Sequence, residues 1–142
     1  MEKFDVVIIG SGVAGMTAAI YSSRLGLKTQ VIENLIPGGQ VINVEKIEDF
    51  PGFPNGISGA ELTELIKNQA ESNGSEFMMS EISKISKIKN SWYIQSSESE
   101  ITTKTIIIAA GSTLSKLNIP GENELIGGGV SYCATCDGAF FI

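Results

Sequence analysis

An α/β fold built on a parallel sheet is predicted by three features of the sequence. A β-branched run, Phe4-Asp5-Val6-Val7-Ile8-Ile9, stops at Gly10 and opens directly into Gly10-Ser11-Gly12-Val13-Ala14-Gly15. An alanine-rich segment, Met16 to Leu25, leads past Gly26 to a second apolar run, Lys28-Thr29-Gln30-Val31-Ile32. A third run, Ile106-Ile107-Ile108-Ala109-Ala110, again ends in glycine, at Gly111. Continuous short apolar runs, rather than alternating ones, are the pattern of strands buried on both faces.

The elements follow in order. Phe4 to Ile9 is the first strand, Met16 to Leu25 a helix stopped by Gly26, and Lys28 to Ile32 a second strand ending at Glu33. Together they make a βαβ unit, whose crossover is right-handed. Pro37-Gly38-Gly39 marks a turn. Residues 44–56, with Pro51, Pro54 and Asn55-Gly56, form a loop long enough to be functional rather than a plain connector. Ser58-Gly59-Ala60-Glu61 is a capping box that opens a helix with Leu62, Leu65, Ile66 and Ala70 on one face and Gly74 at its end. Beyond Ser75, residues 77–89, 92–96 and 101–110 read as three strands with polar turns. The spacing of Ile82, Ile85 and Ile88 also fits a helix, but β-branched content and short segments favour strands. Ser112 to Pro120 is a connection. The expected organisation is a first domain over 1–114 and the incomplete beginning of a second over 115–142.

Composition narrows the function. The 142 residues suit one domain of roughly 150, and a 42% hydrophobic fraction can build a core. Sixteen acidic residues against ten basic give a net charge of −6. With a pI near 4.6 the chain repels phosphate backbones, so nucleic-acid binding is not expected. The sequence holds no histidine, which excludes histidine catalysis and histidine metal ligation within it. Glu2 and Asp5 spoil a positively charged leader, and Ile106 to Ala110 is far shorter than the ~20 residues of a membrane span. A cytoplasmic location is expected, where two cysteines are reduced, catalytic or metal-bound rather than a structural staple.

The glycine loop carries the first chemical signal. G-x-G-x-x-G alone is weak, but here a strand precedes it, a helix follows, and Glu33 stands 18 positions after Gly15, close to the ~20 of the dinucleotide fingerprint. Gly10 makes the tight turn, Gly12 lets the backbone approach a pyrophosphate, and Gly15 lets the helix pack close on the strand. The helix N–H groups then face the phosphates, and Glu33 accepts from a ribose hydroxyl pair. The fingerprint does not separate NAD from FAD, although its place near the N-terminus leans towards a flavin. A plain glycine turn with a solvated Glu33 is the blander alternative.

Cys133 and Cys136 form the second signal, a single C-x-x-C. A structural zinc site takes four ligands, so this pair would need another chain to complete one. The spacing suits a reversible disulfide with thiolates of depressed pKa. Two inert buried cysteines would also satisfy it. Asp137 is placed to exchange protons during thiol–disulfide exchange, and equally to be an acid favoured by a helix N-terminus.

Taken together, Gly10 to Gly15, Gly38-Gly39-Gln40, Glu48-Asp49-Phe50-Pro51-Gly52, Ile107 to Gly111 and Gly129-Val130-Ser131-Tyr132-Cys133-Ala134-Thr135-Cys136-Asp137-Gly138 resemble the low-molecular-weight thioredoxin reductases of bacteria. The resemblance covers essentially the whole chain, and the C-A-T-C-D-G segment is its most specific part. It implies a Rossmann-like FAD-binding domain, a parallel sheet with a three-stranded β-meander crossover, cut at the start of an NADPH-type domain. It implies electron flow from NADPH through FAD to a Cys133–Cys136 disulfide and on to thioredoxin. Cys136 would face the flavin, Cys133 would attack the thioredoxin disulfide, and Asp137 would be the acid/base. The FAD would be held by Gly10, Ser11, Gly12, Val13, Ala14 and Gly15, by Glu33, Asn34, Leu35, Ile36, Pro37, Gly38, Gly39 and Gln40, and by Asp49, Ala110 and Gly111. The family is homodimeric, and its two domains rotate to expose the cysteines alternately.

Two positions depart from the family pattern. Asp49 replaces the usual asparagine, and a carboxylate there would disfavour an anionic reduced flavin; Ala110 replaces the usual threonine and loses a hydroxyl. The chain has one glycine fingerprint where family members have two, so it reads as an N-terminal fragment without a nicotinamide site, inactive with NADPH by itself. Three alternatives stay open: a flavin disulfide reductase fed by ferredoxin or another donor, a non-catalytic FAD-binding module, and a remnant that binds nothing tightly. Peroxide-system flavoprotein disulfide reductases share the scaffold but usually carry other residues between the cysteines than Ala134-Thr135.

Overall fold

The structure, a computed structural model, describes residues 2–134 and Gly138. It divides into two compact units, one through Gly111 and one from Ser112 onward.

The first unit is a six-stranded sheet flanked by two helices. Its elements are β1 (Glu2–Ile9), α1 (Val13–Arg24), β2 (Thr29–Glu33), a 3-10 turn (Gly39–Asn43), α2 (Gly59–Ser72), β3 (Glu76–Met79), β4 (Ile82–Ile88), β5 (Ser91–Ser96) and β6 (Glu100–Ile108). The strand order is β3-β2-β1-β6-β5-β4. β1 pairs in parallel with β2 and β6, and β3 joins β2 in parallel. β4, β5 and β6 form an antiparallel meander. This is the expected α/β class.

β1 lies inside the sheet, between β2 and β6, and has apolar residues for both faces. Val6 and Ile8 pack with Val31, with Met16, Ala19 and Ile20 of α1, and with Leu62, Ile66 and Ala70 of α2. On the opposite face Phe4 and Val7 pack with Ile32 and with Ile94 and Ile101 of the meander. Ile94 and Ile101 stand directly opposite each other on β5 and β6. Val7 and Ile8 are wholly buried, each stabilising the fold by about 2 kcal/mol. A strand covered on both sides needs an unbroken apolar run, which is why the sequence there lacks alternation.

Three sequence expectations are corrected. The first helix begins at Val13, not Met16, because Gly12 already has the extended backbone of an N-cap. Residues 77–89 are not one strand. β3 stays on the parallel edge, and the chain leaves it at Ser80, whose N–H donates to the Glu33 carbonyl (2.8 Å) at the end of β2. Leu65 does not share the buried face of α2. It is exposed, and Thr63 is buried there instead, its hydroxyl donating to the Gly59 carbonyl at 2.8 Å.

The second unit is organised by turns. Gly121 accepts from the Leu125 N–H, Leu125 accepts from Val130, and Ile126 bridges to Val130. Among the described residues no helix is long and apolar enough to cross a membrane.

Candidate functional site

The glycine loop lies where β1 ends, and its shape is set by close backbone approaches. Gly10 has φ +97°, and a Cβ there would lie 2.3 Å from the Ala109 carbonyl oxygen. A Cβ on Gly15 would lie 2.0 Å from the Gly10 carbonyl oxygen. Only glycine lets α1 start this close to the strand. Gly12 faces Gly39, where an added Cβ would come to 3.0 Å from the Gly12 Cα. The Gly38 N–H donates to the Ser11 carbonyl at 3.0 Å and ties the 37–39 turn to the loop.

The start of α1 is suited to an anion. Its first intrahelical bond runs from the Met16 N–H to the Gly12 carbonyl, at 3.0 Å. The amides of Val13, Ala14 and Gly15 precede that bond, Gly12 supplies no side-chain cap, and the first turn carries no acid. Those amides and the positive end of the helix dipole are what a pyrophosphate needs. The glycine-lined backbone and this donor set fit the phosphates of a dinucleotide.

Glu33 is more committed than the sequence suggests. Its Oε2 accepts from the Ser11 N–H (2.8 Å) and the Ser11 hydroxyl (2.7 Å), and its Oε1 accepts from the amides of Asn34 (2.9 Å) and Leu35 (3.3 Å). The carboxylate is a clasp between the glycine loop and the end of β2. A ribose hydroxyl pair would have to share or replace these donors. Partial burial pushes the Glu33 carboxyl up, but the Ser11, Leu35 and Asn34 hydrogen bonds outweigh it and hold the group below its ordinary value.

The other expected binding residues fall into groups. Asn34, Leu35 and Ile36 are exposed and Pro37 is half-buried, leading into the 3-10 turn that begins with Gly39 and Gln40. Ala110 and Gly111 are exposed just past β6, where the Ala109 N–H donates to the Ile9 carbonyl at 2.8 Å. The structure thus gathers the loop, the 33–39 segment and the end of β6 at one edge of the unit. Asp49 is exposed in the 44–56 loop, which is closed by the Ile47–Ile57 bridge. In the sequence Gly59 stands only as part of a capping box. A Cβ there would lie 1.7 Å from the Val41 carbonyl, so Gly59 seats the 3-10 turn against α2. The signal was a glycine just after an N-cap, where capping alone does not require one.

In the second unit Cys133 is disulfide-bonded, and its N–H donates to the Ser131 hydroxyl at 3.0 Å. Cys136 and Asp137 lie outside the described residues. Among the described residues no cluster of acids and thiols could hold a metal.

Residues 4–141 match the pyridine nucleotide-disulphide oxidoreductase family. The chain belongs to that family. Flavin and nicotinamide cofactors belong to the chemistry of that family. A curated thioredoxin reductase of Bacillus subtilis is 46% identical over 138 residues, covering 97% of this chain and 43% of the relative. The solved thioredoxin reductase of Streptococcus pyogenes superimposes with a TM-score of 0.82 at 40% identity, covering 97% of this chain and 45% of that one. A ferredoxin-flavin thioredoxin reductase of Clostridium acetobutylicum is more distant, with a TM-score of 0.71 at 30% identity over 99% of this chain and 49% of its own. The chain therefore spans less than half the length of these relatives.

Proposed function

We propose that this chain is the flavin-binding and redox-cysteine portion of a thioredoxin reductase. The observation that carries the reading is the disulfide-bonded Cys133 of the C-x-x-C, in the same chain as a glycine cradle with dinucleotide chemistry. Residues 1–114 form the N-terminal part of the FAD-binding domain, and 115–142 are a linker and the beginning of the NADPH domain.

Each group has a task. Val13, Ala14 and Gly15 offer amides to the pyrophosphate, while Gly12 and Gly39 keep the approach open. Glu33 holds Ser11 in place and meets the adenosine ribose, and segment 34–40, Asp49, Ala110 and Gly111 line the rest of the FAD. When bound, FAD supplies the two-electron relay from NADPH. The Cys133–Cys136 disulfide takes up two electrons and two protons to become a dithiol. Cys133, as thiolate, attacks the thioredoxin disulfide, and Asp137 moves the proton of the thiol that leaves. Cys136 then attacks the mixed disulfide at Cys133, which releases reduced thioredoxin and restores the starting bond. The working form is a homodimer in the cytoplasm.

The test uses the polypeptide that carries this sequence together with its nicotinamide-binding part. Loaded with FAD, it reduces oxidised thioredoxin with NADPH, and Cys133→Ser abolishes that turnover while leaving the flavin bound. Turnover with reduced ferredoxin but not NADPH would move the protein to the other donor class. Undiminished turnover in Cys133→Ser would end the reading.

A further inference from the structure

We propose that Glu122 is a positioning residue for Cys133, acting through the Tyr132 hydroxyl. The inference rests on the redox reading of the cysteines given above. Glu122 is almost fully buried at 3% exposed, although Leu114, Leu117, Ile119, Leu125 and Ile126 of the same unit are exposed. A carboxylate buried without a cation is sustained only by a full set of donors. Glu122 has them: Oε1 accepts from the Leu117 N–H (2.9 Å) and the Tyr132 hydroxyl (2.6 Å), and Oε2 accepts from the Asn118 N–H (2.7 Å).

The geometry shows what these bonds hold. Asn118 has φ +56°, a left-handed backbone that is costly for a non-glycine residue, and the Glu122 carboxylate grips its amide. The Glu122 N–H donates to the Ile119 carbonyl at 3.2 Å and closes the turn through Pro120 and Gly121. From there the chain runs out to Val130, whose N–H returns to Leu125 at 2.8 Å. Tyr132 then reaches back to the same carboxylate. The loop from Glu122 to Tyr132 is therefore pinned at its end by one phenol hydroxyl, and the next residue is Cys133. The Ser131 hydroxyl accepts from the Cys133 N–H, so both residues before the cysteine are held. The Tyr132 hydroxyl holds the Glu122 carboxyl below its ordinary value, and the carboxylate pushes the Tyr132 phenol up.

A cysteine held in the geometry of its disulfide favours the oxidised form, because ring closure then costs less chain freedom. Releasing the clasp shifts the equilibrium towards the dithiol. The balanced reaction is disulfide plus reduced dithiothreitol giving protein dithiol plus oxidised dithiothreitol. The 142-residue chain is equilibrated in dithiothreitol buffers of graded ratio, quenched with acid, alkylated and weighed. Tyr132→Phe keeps the ring and is expected to favour the dithiol by about threefold, the worth of one hydrogen bond. Glu122→Gln cannot accept from three donors and is expected to favour it by about tenfold, which is about 30 mV towards a less negative potential. The double variant is expected to match Glu122→Gln, since the Tyr132 hydroxyl acts on the segment through that carboxylate.

A second readout needs no redox chemistry. The Tyr132 phenol, followed by tyrosinate absorbance as the difference from Tyr132→Phe, titrates at lower pH in Glu122→Gln than in the parent sequence. Both variants within about twofold of the parent equilibrium, with a cycling parent, would overturn the positioning role alone. An unmoved phenol titration would overturn it through the contact itself, even if Glu122→Gln misfolds in the redox assay and only Tyr132→Phe can be read there. Parent cysteines that never interconvert would overturn both this inference and the redox reading beneath it.

Discussion

The two halves of the proposed electron path are built by different physics. The glycine cradle is fixed by steric closeness: Gly10 against Ala109, Gly15 against Gly10 and Gly59 against Val41, all backbone to backbone, beside a sheet with two packed faces. The cysteine segment has turns, exposed apolar residues and one buried carboxylate with three donors. A site that must hold a rigid pyrophosphate is made by glycines that nothing can replace. A site whose cysteine must break and remake a bond is held by hydrogen bonds that can be exchanged.

That contrast is broken most severely at Gly15. In Gly15→Ala the new methyl meets a carbonyl that cannot rotate away. The first unit should lose about 3 kcal/mol, near the upper end for overpacking, and its flavin retention with it. Urea unfolding and the absorbance of the desalted, FAD-treated protein measure the two losses. A variant that unfolds like the parent would show that α1 can slide, and that steric closeness is not what sets the loop.

Glu33 tests the polar component of the cradle. Glu33→Gln keeps the shape but cannot accept from all four donors, and should cost about 1 kcal/mol at neutral pH, reduced by solvent screening of a half-exposed group. The folded carboxyl lies below its unfolded value of about 4.5. Its contribution is therefore fully present above that value and is lost as pH falls through the folded one. Denaturant midpoints of the parent should fall as pH is lowered from neutral to below 4.5, and the slope should be shallower in Glu33→Gln.

The smallest effect is expected at a conventional cap. Ser58 accepts from the Glu61 N–H at 3.2 Å, and Ser58→Ala should cost less than about 1 kcal/mol. It should leave flavin retention intact, because the seat of the 3-10 turn is Gly59 rather than the cap. Loss of flavin with so little lost stability would shift that role to Ser58.

Much of the first unit was legible from local pattern. β1, β2 and β6 are apolar runs that end in Gly10, Glu33 and the Ala109-Ala110-Gly111 segment, and two-sided burial leaves no other pattern. What was not legible depended on partners far along the chain. The break between β3 and β4 is made at Ser80 by a carbonyl of Glu33, 47 residues earlier. Leu65 and Thr63 exchange faces because the Thr63 hydroxyl can satisfy itself on Gly59, which a periodicity count does not see. At the site, the glycines were readable because each has a backbone task. The Ser11–Glu33 clasp was not, because a carboxylate at the end of the second strand suggests a ribose before it suggests the loop beside it. Glu122 had no signal at all: its donors are two backbone amides and a tyrosine ten residues on.

The most direct test of the account follows electrons from the cradle to the cysteines. The FAD-loaded polypeptide is reduced under anaerobic conditions, quenched, alkylated and weighed by peptide. The account predicts that both cysteines of this sequence become alkylated once the flavin is reduced, and that neither does while it is oxidised. A flavin that reduces fully while Cys133 stays in its disulfide would contradict it.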